Sequence, residues 1–179
     1  MKVELDLKSL VRTIPDYPKP GIMFRDVTTL LKHAVGFNAC IERLVEPYRT
    51  AGIEAVVGIE ARGFILGGAV ADRLGTGFVP LRKKGKLPWR AIGQEYELEY
   101  GTDIIEVHED AIREGERILI VDDLIATGGT AEAGYKLVRR MGGVAVGAAF
   151  IIDLPELGGV AKLEAQGVPC HTLMTFEGH

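Results

Sequence analysis

A chain of 179 residues with 47% hydrophobic and 26% charged residues is long and apolar enough to bury a substantial core, which excludes a disordered chain. Its net charge of −4 argues against a protein whose main task is to coat nucleic acid, and its two cysteines and four histidines sit in no disulfide or metal-ligand spacing. Glycine is the outlier, 23 residues or about twice the usual share, with no Gly-X-Y period to account for it, so tight turns and close backbone approaches are expected.

The first twenty residues spread their charges evenly and hold no apolar core of the signal-peptide kind. No run reaches the roughly 18 apolar residues of a membrane span, so a soluble, cytoplasmic protein is expected. Residues 5–11 suit a short helix, after which Pro15, Pro18 and Pro20 impose an irregular extended segment ending at Gly21. Between 36 and 51, Phe37, Ile41, Leu44, Val45 and Tyr48 recur at helical spacing, with Cys40 inside the pattern and Pro47 marking a kink or an early end. The run 55–59 reads as a buried strand, 60–63 as a turn, and the stretch to Leu74 as a helix. Residues 78–81 form a second short strand, followed by a basic loop from Arg82 to Arg90. Two alternating runs over 95–107, joined at Gly101-Thr102, give a hairpin signal. The clearest buried strand is 117–121, then a helix over 130–141, a strand over 144–152, a helical stretch over 156–166 and a last strand over 170–176. Strands alternating with helices predict an α/β fold with a mostly parallel central sheet flanked by helices.

The segment Val121-Asp122-Asp123-Leu124-Ile125-Ala126-Thr127-Gly128-Gly129-Thr130 carries most of the chemistry. A buried strand delivers two carboxylates to its C-terminal end, where open α/β sheets bind ligands. The small residues Ala126 to Thr130 then lead into a helix start, so exposed N–H groups, two threonine hydroxyls and the helix dipole form a cradle for a phosphate. No Gly-Lys-Ser/Thr follows, which excludes a Walker A loop, and the glycine spacing excludes a dinucleotide fingerprint. Asp122 and Asp123 would repel a phosphate unless ribose hydroxyls or a hydrated Mg²⁺ engaged them; the plainer reading makes them a turn or capping pair.

Glu60-Ala61-Arg62-Gly63 also follows a strand and opens a helix, so it belongs at the same sheet edge. Arg62 there is disfavoured beside a helix N-terminus unless an anion is bound, against the alternative of a surface arginine. The loop Arg82-Lys83-Lys84-Gly85-Lys86-Leu87-Pro88-Trp89-Arg90 suits a mobile lid over a polyanion, or a merely solvated loop. In 95–100 strict alternation sets three glutamates against Tyr96, Leu98 and Tyr100, the pattern of an exposed amphipathic hairpin. Phe24, in Gly21-Ile22-Met23-Phe24-Arg25-Asp26, reads by itself as a core residue.

The run Ile118 to Thr130 resembles the signature of type I phosphoribosyltransferases, which bind 5-phosphoribosyl-1-pyrophosphate (PRPP). Arg82-Lys83 with Gly85-Lys86-Leu87-Pro88 and Leu98-Glu99-Tyr100-Gly101, the segment 21–26, the residues 150–152 with 157–159, and the ending 176–179 are similar to the adenine-using, bacterial members, so the resemblance spans the chain. It implies the type I phosphoribosyltransferase fold, with a small N-terminal hood (residues 1–33), a core (34–179) and a flexible β-hairpin lid. It implies an enzyme of purine salvage: adenine and PRPP give AMP and pyrophosphate. Asp122 and Asp123 would take the ribose hydroxyls, and Ala126, Thr127, Gly128, Gly129 and Thr130 the 5-phosphate. Glu60, Ala61, Arg62 and Gly63, with a cis peptide at Glu60-Ala61, would take the pyrophosphate, joined by Arg82 and Lys86. Phe24 would stack on the base, while Met23 and Arg25 present backbone groups to its edge. Glu99 would accept a proton and Tyr100 would act in the lid. Mg²⁺ would arrive with PRPP, reaching Asp122 or Asp123 through water, and the chain would be a homodimer with no nucleic-acid or membrane partner. A phosphoribosyltransferase for hypoxanthine or xanthine, and a PRPP-sensing regulator without catalysis, are the rival readings; the first 50 residues hold no basic helix-turn-helix pattern for the latter.

Overall fold

The run Ala55-Val56-Val57-Gly58-Ile59 has no polar residue to turn toward water, so a strand built from it needs cover on both faces. A computed structural model, which describes residues 4–98 and 100–178, supplies that cover. Its elements are β1 (Arg12–Pro15), β2 (Met23–Asp26), α1 (Thr28–Lys32), α2 (Ala34–Val45), β3 (Ala55–Ile59), α3 (Arg62–Leu74) and β4 (Gly77–Lys83). They continue as β5 (Ala91–Glu97), β6 (Thr102–His108), β7 (Arg117–Ile125), α4 (Gly129–Arg140), β8 (Val144–Asp153), α5 (Gly159–Glu164) and β9 (Cys170–Thr175).

Seven strands form one sheet in the order β5-β6-β4-β3-β7-β8-β9. The five from β4 to β9 run parallel, and the β5–β6 hairpin adds to the β4 edge antiparallel. Side-chain alternation splits the core in two. Val56, Leu119, Val121 and Ile151 face α2 and α3, whereas Val57, Ile59, Ile118, Ile120 and Phe150 face α4 and α5. Among the described residues no helix is long and apolar enough to cross a membrane.

The connection after β3 runs to β4 on one side, and the connection after β7 runs to β8 on the other. Neighbouring strands whose connections diverge leave a crevice at their C-terminal ends, the place where open α/β sheets receive ligands. Both predicted anion loops begin there: residues 60–61 follow β3, and 126–128 follow β7.

The N-terminal part departs from the irregular segment expected of its prolines. β1 and β2 pair as a separate antiparallel ribbon, with Ile14 opposite Phe24 and an Arg12–Asp26 ion pair of 2.8 Å. Pro18 and Pro20 fall in the connection, where no ladder hydrogen bond is lost, and Pro15 ends its strand. Asp16 closes that connection by accepting from the Gly21 amide at 2.8 Å. The helical pattern that runs to residue 51 ends early at Val45, as Pro47 allowed, and only a 3₁₀ turn follows over Glu46–Tyr48. α1 is an element the periodicity did not show; its five residues are too few to display a repeat.

The chain's last described residues return to the ribbon. Arg25 donates to the Thr13 hydroxyl at 2.6 Å and to the Glu177 carbonyl at 3.1 Å, and its guanidinium lies 4.4 Å from the Phe176 ring centre. Lys8 sits 4.6 Å from the centre of the same ring.

Candidate active site

β7 is longer than the apolar run that announced it, so Asp122 and Asp123 lie inside the strand rather than after it. Neighbours hold both carboxylates: Asp123 is 4% exposed and accepts from Arg62 Nε, while Asp122 accepts from the Asp123 amide at 2.8 Å. Burial and the adjacent Asp123 charge push the Asp122 carboxyl well above the usual range, and Arg62 offsets this only in part. Gly63 explains how the two loops approach so closely. A Cβ there would stand 2.9 Å from Asp122 Oδ1 and 3.0 Å from the Val121 carbonyl, so α3 begins against the end of β7.

Arg62, Asp122 and Asp123 share one hollow of about 210 Å³ with Leu124, Ile125 and the loop Ala126 to Thr130. Gly128 adopts φ +81°, a left-handed conformation that favours glycine, and Gly129 opens α4. The loop therefore presents backbone N–H groups and the Thr127 and Thr130 hydroxyls at the start of a 12-residue helix. Acidic pair, cation and anion cradle are thus brought together, as the spacing predicted. Leu124 and Ala131 also line the hollow; sequence alone gave them no distinguishing mark.

The Glu60-Ala61 peptide is cis. The Glu60 side chain turns away from the hollow, accepts from the Lys83 amide at 2.8 Å and stands 3.5 Å from Arg82 Nε. Arg82 and Lys83 end β4 instead of opening the basic loop, and Lys86 is exposed beyond them. β4 pairs with β6 through Arg82 and Lys83, so the lid hairpin grows directly from the edge that carries Glu60's partners.

The ribbon covers the other side. Phe24 stacks edge-on against Tyr17, with ring centres 5.2 Å apart, and its ring lies 5.9 Å from the Arg62 guanidinium. Met23 is 38% exposed, and the Arg25 side chain is committed to the chain's far end. Lys19 sits 4.1 Å from the centre of the Tyr100 ring, a contact between ribbon and lid that no spacing rule anticipates. Glu99 lies outside the described residues. A second cleft of about 570 Å³ opens between the lid and α4, lined by Glu97, Leu98, Thr127, Gly129, Lys136 and Lys162 among others.

Among the described residues no three acidic, histidine or cysteine side chains gather as a metal cage. Two adjacent carboxylates beside an anion cradle fit a divalent ion that arrives with a polyphosphate and meets the protein through water.

The chain matches the model of the phosphoribosyl transferase domain over residues 26–166. It is 64% identical to the adenine phosphoribosyltransferase of Maricaulis maris (strain MCS10) over 174 residues, covering 97% of this chain and 99% of that one. A crystal structure of adenine phosphoribosyltransferase from Rhodothermus marinus DSM 4252 superposes with a TM-score of 0.90 at 55% identity, covering 95% of this chain and 96% of the other. The Saccharomyces cerevisiae adenine phosphoribosyltransferase, complexed with an imino-altritol bisphosphate and adenine, has a TM-score of 0.88 at 38% identity and covers 94% and 96%.

Proposed function

The chain belongs to the phosphoribosyltransferase family, on its adenine-using branch, and we propose that its site makes AMP and pyrophosphate from adenine and PRPP. One observation carries this reading: an acidic pair lies between Arg62, which follows β3, and the loop Ala126 to Thr130, which follows β7, at the sheet's switch point, with Phe24 of the ribbon opposite.

Asp122 and Asp123 hold the ribose 2- and 3-hydroxyls, which carboxylates accept readily. Ala126, Thr127, Gly128, Gly129 and Thr130 hold the 5-phosphate. Anchoring that remote group fixes C1 of the ribose against the base, so binding energy serves the reacting centre. The backbone of Glu60, Ala61 and Gly63 and the Arg62 side chain face the pyrophosphate, with Arg82 and Lys86 on the lid side and the Glu60 carboxylate turned toward Lys83 and Arg82. Arg62 is paired to Asp123 and is 48% exposed, so it can turn to a pyrophosphate while Asp123 turns to the ribose.

The C1–oxygen bond breaks toward an oxocarbenium-like state, and its electron pair leaves with pyrophosphate. Adenine N9 supplies the pair for the new bond, and the proton lost from N7 passes to Glu99. Arg62 and Lys86 neutralise the departing charge. Asp122 or Asp123 would reach, through water, a Mg²⁺ ion carried by PRPP, and that ion would supply further charge neutralisation on the leaving group. Phe24 stacks on the base while the backbone of Met23 and Arg25 reads its edge, so residues 1–33 serve as a hood on the core 34–179. Tyr100 and the lid exclude the water that would otherwise intercept the activated ribose. The working form is a homodimer in the cytoplasm.

A single-turnover assay with PRPP, Mg²⁺ and labelled adenine, hypoxanthine or xanthine tests this. AMP and pyrophosphate from adenine are the expected products. Product from hypoxanthine or xanthine alone would overturn the base assignment, and tight PRPP binding without product would make the protein a sensor.

A further inference from the structure

We propose that Gly159, at the start of α5, is a positioning residue for the sugar-phosphate substrate, acting as a backbone shelf beneath the loop Ala126 to Thr130. The inference rests on the reading of that loop as the 5-phosphate site, and it concerns a residue 29 positions beyond the end of that loop.

Strand β8 ends at Asp153, and the chain then turns back along the end of β7. The Leu154 amide donates to the Ile125 carbonyl at 3.1 Å, and the Gly159 amide donates to the Ala126 carbonyl at 3.0 Å. These two bonds fasten the 154–159 turn to the strand end and to the first residue of the cradle. The fit above them is backbone on backbone. A Cβ on Gly128 would lie 2.9 Å from Gly159 Cα and 3.0 Å from its carbonyl oxygen. A Cβ on Gly159 would lie 2.5 Å from the Ala126 carbonyl oxygen, 2.7 Å from Ile125 Cγ1 and 2.8 Å from the Gly128 nitrogen. Two of those three atoms belong to cradle backbone and cannot swing aside as a side chain does.

Gly158 and Gly159 look alike in sequence, yet the structure separates them. Gly158 has φ +75° with nothing within 4 Å of a built Cβ, so it is a turn glycine. Gly159 lies outside the left-handed region, so alanine there meets no backbone strain of its own and can only push on the loop above. Because the cradle binds through N–H groups of fixed direction, its height decides whether they converge on a phosphate. A displacement near 1 Å is worth on the order of 100-fold in a positioned reaction.

The experiment compares wild type, Gly158→Ala and Gly159→Ala for binding of ribose 5-phosphate and of pyrophosphate by calorimetry, with steady-state kinetics and melting temperature. Gly159→Ala is expected to weaken ribose 5-phosphate binding and raise KM for PRPP about 10- to 100-fold, while pyrophosphate binding and KM for adenine stay within about twofold. Gly158→Ala is expected to lower the melting temperature and leave ribose 5-phosphate binding unchanged. Equal ribose 5-phosphate binding by wild type and Gly159→Ala, or an equal loss in Gly158→Ala, would overturn the shelf. A wild type that binds PRPP yet ignores the 5-phosphate would overturn the phosphate reading itself. Hydrogen exchange on the wild type covers the case in which Gly159→Ala does not fold. Ribose 5-phosphate should slow exchange at the Gly159 amide, and an unchanged rate there would count against the proposal.

Discussion

The two walls of the crevice are made differently. On the proposed phosphate side, Asp123 and the loop Ala126 to Thr130 grow from β7, a central strand whose residues 118–121 are fully buried, and the loop rests backbone to backbone on α5. On the proposed base side, the β1–β2 ribbon and the lid are held by partly exposed contacts: the Arg12–Asp26 pair, the Lys19–Tyr100 contact and the grip of Arg25 on residues 176–177. Contacts of that kind contribute about 0–1 kcal/mol each. A two-stranded ribbon is itself marginal without support. The wall proposed to anchor the substrate is therefore continuous with the core, whereas the wall proposed to close over it can open at little cost.

Substitutions on the two walls should then differ in kind. Asp123→Asn should have the largest effect, lowering kcat/KM for PRPP about 100-fold, the scale of a lost charged hydrogen bond or two. Because Asp123 also holds Arg62, some loss of melting temperature is expected too; unchanged kinetics would remove the carboxylate from the site. Phe24→Ala should raise KM for adenine about tenfold, the scale of a lost stacking contact, and leave PRPP binding untouched. A matching loss of PRPP affinity would show that the two walls are one unit. Lys19→Ala should shift adenine KM or product release by only about two- to fivefold, since it removes one exposed cation–ring contact. A tenfold effect would make the ribbon–lid contact an anchor.

The smallest expected change is one of stability. The raised Asp122 carboxyl means that the folded chain holds this proton more tightly than the unfolded chain does. The resulting penalty is absent below the unfolded value of about 3.9 and grows as pH rises through the folded value. Asp122→Asn should therefore melt roughly 2–4 °C higher at pH 7 in the absence of ligand and metal, the shift that about 1 kcal/mol gives in a chain this size. The difference should vanish toward pH 4. A lower melting temperature at pH 7 would mean that the carboxylate supports the fold rather than the ligand.

Local pattern carried the phosphate wall and missed much of the other. The strand 55–59 and the cradle 126–130 are legible because an apolar run bounded by small residues has few structures open to it. The ribbon was hidden by its prolines, which argue against strands unless the strand is short and two of them fall in the turn. The Arg62–Asp123 pair joins residues 61 positions apart, and no periodicity records such a partner. Gly159 was hidden more simply. In sequence it is indistinguishable from the turn glycine before it, and only the neighbour across the gap assigns it a different task.

The return of residues 176–177 to Arg25 also has a meaning for the order of synthesis. The ribbon leaves the ribosome well before the Phe176 ring and the Glu177 carbonyl that fix Arg25, which follow it by 151 and 152 residues. Cores can form from the N-terminal side as a chain emerges. The grip on the β1–β2 ribbon is instead completed by residues made 151 and 152 positions later, so a nascent chain can hold the finished loop Ala126 to Thr130 while the ribbon opposite it is not yet fixed.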